Sequence, residues 1–80
     1  MVTDTLSILF FGQLTDLTGC SRTDLPRVSD TDELRLRLLD RYPGLGQATY
    51  VLTVNQTVVQ ENTTLDGRPE IALLPPFSGG

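Results

Sequence analysis

Apolar and polar positions along this chain fall into short blocks of different period. The first, LSILFFG from Leu6 to Gly12, is a nearly continuous apolar run with a β-branched residue and two phenylalanines, closed by glycine. Its length and composition predict a buried strand. QLTDLTGCS follows with the turn formers Asp16, Gly19 and Ser21, and RTDLPRV offers a second extended segment. Pro26 in that segment suits an edge or a strand end, because it has no N–H for a ladder. A first hairpin is expected.

The block SDTDELRLRLLDRYPGLG carries conflicting signals. Leu34, Leu36 and Leu38 alternate with Arg35 and Arg37 as in a half-buried strand. Three local features favour a helix instead. Asp30 and Glu33 have the spacing of a capping box, in which each side chain accepts from the other residue's backbone N–H. Asp32 and Glu33 complement the positive end of a helix dipole. Leu and Arg are strong helix formers, no β-branched residue interrupts Asp32 to Tyr42, and Pro43-Gly44 supplies a stop. The helix is expected over Thr31 to Arg41. Leu34 and Leu38 then share a face with Tyr42, Arg35 and Leu39 lie beside it, and Arg37 and Arg41 point toward solvent.

TYVLTVNQTVVQ contains two β-rich runs, Thr49 to Val54 and Thr57 to Gln60, on either side of Asn55-Gln56. Asn tolerates positive φ, so the pair predicts a tight hairpin, although Gln is a poor second turn residue. ENTTLDGRP reads as a loop with a turn at Asp66-Gly67. EIALLPP is the last strand, ended by Pro75 and Pro76. The order is strand, strand, helix, strand, strand, loop, strand. Elements this short bury a common core when one helix lies across one face of a mixed four- or five-stranded sheet, an α+β architecture.

Composition narrows the chemistry. The 80 residues, 39% hydrophobic with a formal net charge of -4, fit one compact domain with little volume for an enclosed enzyme pocket. There is no His, and Cys20 is the single cysteine. A zinc site, a CxxC redox pair or a Cys-His dyad therefore lacks its ligands or partners, and no metal site is expected. One cysteine also argues against a disulfide-stapled secreted domain. MVTDTLSILFFG has neither the basic region nor the apolar length of a signal peptide or membrane span, so the cytoplasm is the expected compartment. All 6 basic residues are Arg against 10 acids. That balance points away from nucleic acid and anionic lipid and toward a basic partner surface.

The segment PPFSGG holds the candidate chemistry. Pro75 and Pro76 favour extended backbone, and Phe77-Ser78-Gly79-Gly80 offers nothing to fold back on the body. The expected division is a domain over 1–74 and a projecting arm over 75–80. Six residues reach at most about 20 Å, enough to present a terminal carboxylate to a partner's buried site. Glycine's missing Cβ lets bare backbone thread a narrow channel. Phe77 is costly to leave in water unless it docks. If Ile71 and Leu73 face the core, Ala72 and Leu74 face outward beside the arm, and either Val58 or Val59 joins them. Phe77, Leu74, Val58, Pro75, Pro76 and Ser78 are the candidate partner-binding residues, with Leu9 and Phe11 as an alternative patch.

EIALLPPFSGG over Glu70 to Gly80, ILFFGQL over Ile8 to Leu14 and VNQTVV over Val54 to Val59 together resemble the small-subunit family of molybdopterin synthase. The resemblance implies a ubiquitin-like β-grasp fold. It implies that the Gly80 carboxylate is adenylated with ATP by an activating enzyme of the ubiquitin-activating type. A sulfur donor then converts it to a thiocarboxylate. Inserted into the large synthase subunit, the thiocarboxylate gives sulfur to cyclic pyranopterin monophosphate to form the dithiolene of molybdopterin, with two small subunits serving one large-subunit dimer. On this reading Gly80 and Gly79 form the reactive end, no cofactor is bound, and the chain is not a catalyst alone. Carriers that deliver sulfur to thiamine precursors or tRNA share the Gly-Gly end, and so do ubiquitin-like modifiers. A plain interaction domain with an inert tail is a further alternative.

Other residues invite duller readings. Asp16, Asp24, Asp30, Asp40 and Asp66 belong to turns and caps, and Arg35, Arg37 and Arg41 to a solvated helix face. Cys20, with Arg22 its sole basic neighbour in sequence, reads as a neutral structural thiol.

Overall fold

The computed structural model describes residues 4–76. Among them the chain forms β1 (Thr5–Phe10), α1 (Leu14–Thr18), β2 (Arg22–Pro26), α2 (Thr31–Arg41), a 3-10 turn (Pro43–Gln47), β3 (Val51–Val54), β4 (Thr57–Val58) and β5 (Ile71–Leu74). The strands make one sheet in the order β2-β1-β5-β3-β4. β1 and β5 run parallel at its centre, and every other neighbouring pair is antiparallel. This is the mixed β-grasp sheet with one main helix that the sequence led us to expect.

Strand alternation builds the core. Leu6, Ile8 and Phe10 of β1, Leu52 and Val54 of β3, and Ile71 and Leu73 of β5 all point to one face and are buried there with Leu34 and Leu38 of α2. Helical spacing puts those two leucines on one stripe, whereas Leu36, two positions from each, is 67% exposed. A strand would have buried all three, so the exposure of Leu36 is what separates the two periods in the ambiguous block. Tyr42 closes the stripe, its ring edge-on to Phe10 with centroids 5.6 Å apart.

The start of α2 departs from the expected capping box in one respect. Glu33 N–H donates to Asp30 Oδ1 at 2.9 Å, as the spacing demands. The Glu33 carboxylate, however, accepts from Ser29 N–H at 3.2 Å and not from Asp30 N–H. The return bond is displaced by one residue, and the helix entrance remains tied on both sides.

The first hairpin forms, but its connection contains the five-residue helix α1 where the sequence suggested turns alone. Gly19 ends this helix at φ 78, with its N–H bonded to Thr15 O. That left-handed position is the usual place for a C-terminal glycine. Leu14 plugs the core with no exposure. Past α2, Pro43-Gly44 stops the helix as expected, and the following 3-10 turn drives Leu45 inward. At the second hairpin Asn55 and Gln56 both take positive φ, 53 and 67. Gln56 therefore accepts the left-handed conformation that its side chain disfavours, while Asn55 repays part of that strain by bonding Glu70 through backbone and side chain.

The segment read as loop before β5 is anchored. Leu65 is buried, its N–H donates to Ser29 O, and Thr63 exchanges bonds with the buried Thr31. These contacts tie it to the entrance of α2.

Candidate functional site: the open sheet face and the base of the arm

The face of the sheet opposite α2 brings together Leu74 and Val58 of the candidate partner-binding residues. Register sets Leu9 beside Ala72, Ala72 beside Thr53, and Thr53 beside Val58, so one row crosses four strands. A second row pairs Leu74 with Val51 and ends near Phe11, whose N–H donates to Leu73 O. Phe11 and Val58 are 45% and 46% exposed. Phe11, Thr53, Gln56, Glu70, Ala72 and Leu74 surround a shallow slot of about 230 Å³. Such a slot suits an anchoring side chain better than an enclosed substrate.

Ile71 and Leu73 face the core and leave Leu74 outward, half-buried, as alternation requires. Ala72 also faces outward, but Leu9 and Thr53 flank it and leave it only 9% exposed. Of the two valines in TVVQ, Val58 is the outward one, while Val59 packs against the core. Leu9 and Phe11, offered as an alternative to Leu74 and Val58, belong to the same surface. The two candidate patches are one. In the pair Phe10-Phe11, Phe10 continues the inward alternation of Leu6 and Ile8, which leaves the Phe11 ring outside.

Pro75, where the sequence predicts an arm to begin, packs closely on the body. Gly12, at φ +59, lies under Pro75, and a Cβ on Gly12 would sit 2.5 Å from Pro75 Cγ. Pro75 is half-buried there and Pro76 is exposed. Phe77, Ser78, Gly79 and Gly80 lie outside the described residues.

The remaining chemistry lies elsewhere. Cys20 is half-buried near the end of α2, within hydrogen-bond reach of Tyr42 Oη at 3.5 Å and Thr18 Oγ1 at 3.8 Å. Tyr42 in turn donates to Thr23 Oγ1 at 3.0 Å. The tyrosine hydroxyl is the largest influence holding the Cys20 thiol below its ordinary value, against a smaller opposing effect of burial. The thiol is structural in its contacts, but its acidity is tuned by a residue 22 positions away, which the sequence could not indicate. On the β1–β2 edge, Ser7 donates to Asp24 at 2.7 Å and Arg22 lies 3.5 Å from the same carboxylate. The serine, followed by the arginine, holds Asp24 below the usual carboxylate range. Arg37 meets Glu33 on the helix surface, and Arg35 and Arg41 lie over the Tyr50 and Tyr42 rings. Among the described residues no group of three or more His, Cys, Asp or Glu is placed to hold a metal. No helix among them is long and apolar enough to cross a membrane.

The sequence profile of the ThiS family matches residues 8–80, from the middle of β1 through the last glycine. The chain belongs to the ThiS family. Among curated relatives of this ThiS-family protein, the molybdopterin synthase sulfur carrier subunit of Caenorhabditis briggsae is 35% identical, over 94% of this chain and 96% of that one. SAMP1 of Haloferax volcanii has the same fold, with a TM-score of 0.79 over 96% of this chain and all of that chain, at 18% identity. A chain from the complex of subunits 1 and 2 of molybdopterin-converting factor from Helicobacter pylori superposes with a TM-score of 0.72 at 26% identity, covering 96% of this chain and 100% of that one.

Proposed function

We propose that this ThiS-family protein is the sulfur-carrier small subunit of a molybdopterin synthase, with Gly80 as the carrying residue. The observation that bears most weight is the likeness, along nearly the whole chain, to relatives named as sulfur carrier subunits of that enzyme. The geometry supports it. An apolar sheet face runs along β5 into Pro75 and Pro76, so a partner that covers Leu74, Phe11 and Val58 meets the arm at its base.

The chemistry is acyl activation followed by sulfur transfer. A Gly80 carboxylate oxygen attacks the α-phosphorus of ATP on the adenylating partner, and pyrophosphate leaves. Sulfur at the sulfide level from the donor attacks the acyl carbon and displaces AMP, leaving a thiocarboxylate, a polarisable nucleophile already ionised at neutral pH. Within the large subunit its sulfur bonds to the pterin precursor, and water cleaves the resulting acyl–sulfur bond, so that the sulfur stays on the pterin and a carboxylate returns. General acid, general base and cationic groups come from the partners, a division consistent with the absence of His and Lys from this chain. The protein alone is a carrier.

Incubation with ATP, the activating enzyme and a sulfur source tests this. Intact-mass spectrometry is expected to show one oxygen replaced by sulfur, and addition of the large subunit and the pterin precursor to discharge it. A chain that never gains sulfur refutes the carrier reading. One that gains sulfur but discharges only to a thiamine precursor or to tRNA keeps the carrier chemistry and loses the synthase.

A further inference from the structure

Strand β2 is an outer strand of the sheet, and its hydrogen-bonding parity can be read from its ends. Phe10 N–H donates to Ser21 O and Arg27 N–H donates to Asp4 O. In an antiparallel ladder the bonded pairs alternate, and the register Leu6↔Leu25, Ile8↔Thr23 lies in phase with those two. Ser21, Thr23, Leu25 and Arg27 therefore spend their backbone groups on β1. Arg22, Asp24 and Pro26 turn theirs to the outside. Of these, Arg22 N–H has the Cys20 sulfur beside it, a weak acceptor, and Pro26 has no N–H to offer.

Arg22 and Asp24 are both exposed, and their side chains lie on the same face, with the guanidinium 3.5 Å from the carboxylate. Charges on an edge strand ordinarily discourage strand addition. An Arg-x-Asp pair is an exception for one partner, a second copy of itself. When two such strands run antiparallel about a two-fold axis at Thr23, Arg22 of each stands opposite Asp24 of the other. Both residues turn their backbone N–H and C=O outward, so each opposed pair can exchange two hydrogen bonds, the Arg22 N–H giving up its weak sulfur contact for a carbonyl. A shift by two residues in either direction places Arg22 against Arg22 or Asp24 against Asp24, which like-charge repulsion disfavours. Pro26 ends the ladder.

We propose that β2 is a homotypic pairing edge: two copies of this chain join β2 to β2 in the Arg22-to-Asp24 register and form one continuous sheet. A second copy suits the edge because its own Arg-x-Asp order, run antiparallel, sets opposite charges against each other at both positions. Val58, Leu74 and Pro75 lie on or just beyond β4 and β5, across β1 from the pairing edge, so the pair leaves them uncovered. The proposal rests on the sheet edge alone and is independent of the carrier reading.

The contact is small, and the expected dissociation constant is on the order of 0.1 to 1 mM. Two-dimensional amide NMR and sedimentation equilibrium on the full chain, from micromolar to millimolar concentration, test it. The Arg22 and Asp24 amides are expected to shift and gain exchange protection with concentration, while those of Thr23 and Leu25 stay fixed. R22D and D24R each place like charges across the axis and are expected to weaken self-association at least about tenfold. Mixing R22D with D24R restores pairing as a heterodimer, and the double variant R22D/D24R restores it in one chain. Concentration-independent amides in the wild-type protein overturn the proposal, as does a mixture of the two folded single variants that stays monomeric. If a single variant fails to fold, the wild-type amide titration decides alone.

Discussion

Gly12 and Pro75 pack so closely that a side chain on the glycine would have to occupy the space of the proline ring, its Cβ falling 2.5 Å from Pro75 Cγ. The segments that follow β1 and β5 are thereby held together next to the last described residue, Pro76. Gly12 also sits at φ +59, where an L side chain adds strain of its own.

Gly12→Ala is therefore expected to cost about 1–2 kcal/mol of stability and to displace the base of the arm. A thermal melt measures the first effect. The second is read as slower thiocarboxylate formation at a temperature where the variant is fully folded. An unchanged rate in a destabilised protein would show that the contact serves the fold and not the arm.

The open face predicts a different pattern. Phe11→Asp, Val58→Asp and Leu74→Arg each place a charge in a surface that a partner must desolvate, and each is expected to weaken binding of the large subunit by about 2 kcal/mol or more. Leu36→Asp changes an even more exposed leucine on the other side of the molecule and is expected to leave binding unaltered. Calorimetric titration compares the four. Equal affinities throughout would remove the face from the interface.

Much of this geometry could be read in advance because several local signals agreed. Asp30, the leucines at helical spacing and Pro43 bounded α2 correctly, and alternation through Ile71 to Leu74 separated core from surface. The gaps have a common cause. Helix α1 carries only Leu14 and Leu17 as apolar markers, too few to establish a period, and it exists because Leu14 fills the core and Gly19 ends the turn. Leu65 reads as a loop residue because its burial depends on backbone bonds to the distant entrance of α2, which have no local signature. The same applies to Pro75 on Gly12 and to Tyr42 beside Cys20. Contacts between distant segments made from ordinary residues leave no pattern in either segment.

The Tyr42 contact gives Cys20 a pH dependence. The folded chain holds the thiol below its ordinary value, mainly through the tyrosine hydroxyl, so the thiolate is favoured in the folded state relative to the unfolded one. The resulting stability is fully present above the unfolded thiol's titration and is lost as pH falls through the folded value. Tyr42→Phe removes the largest cause. It is expected to raise the pH at which Cys20 reacts with iodoacetamide and to slow that reaction near neutrality. An unshifted rate profile would mean that the hydroxyl does not set the thiol's acidity. While the thiol is protonated the single hydroxyl proton faces Thr23 Oγ1 at 3.0 Å instead, so below the thiol's titration the same variant loses that bond, about 1 kcal/mol expected in the melt.

The arm carries the last prediction. If the Gly80 carboxylate is the reacting group, its position is fixed by the number of residues beyond the Gly12–Pro75 contact. Deleting Gly80 withdraws the terminus by about 3.4 Å. Gly79→Val keeps the length but adds a branched side chain where the partner's channel must admit bare backbone. Misplacement of reacting atoms by about 1 Å can cost around a hundredfold in rate. Both variants are therefore expected to lose adenylation and thiocarboxylate formation, followed by intact mass, while their melting curves match the wild type. Gly79→Ala, with a single added methyl, is expected to fall between them and the natural chain. The graded series separates a narrow channel from a simple length requirement: a channel ranks Gly above Ala above Val, whereas a length requirement makes all three alike and spares everything but the deletion. If the deletion is sulfurated as fast as the full chain, Gly80 is not the carrying residue, and the open face binds a partner for some other purpose.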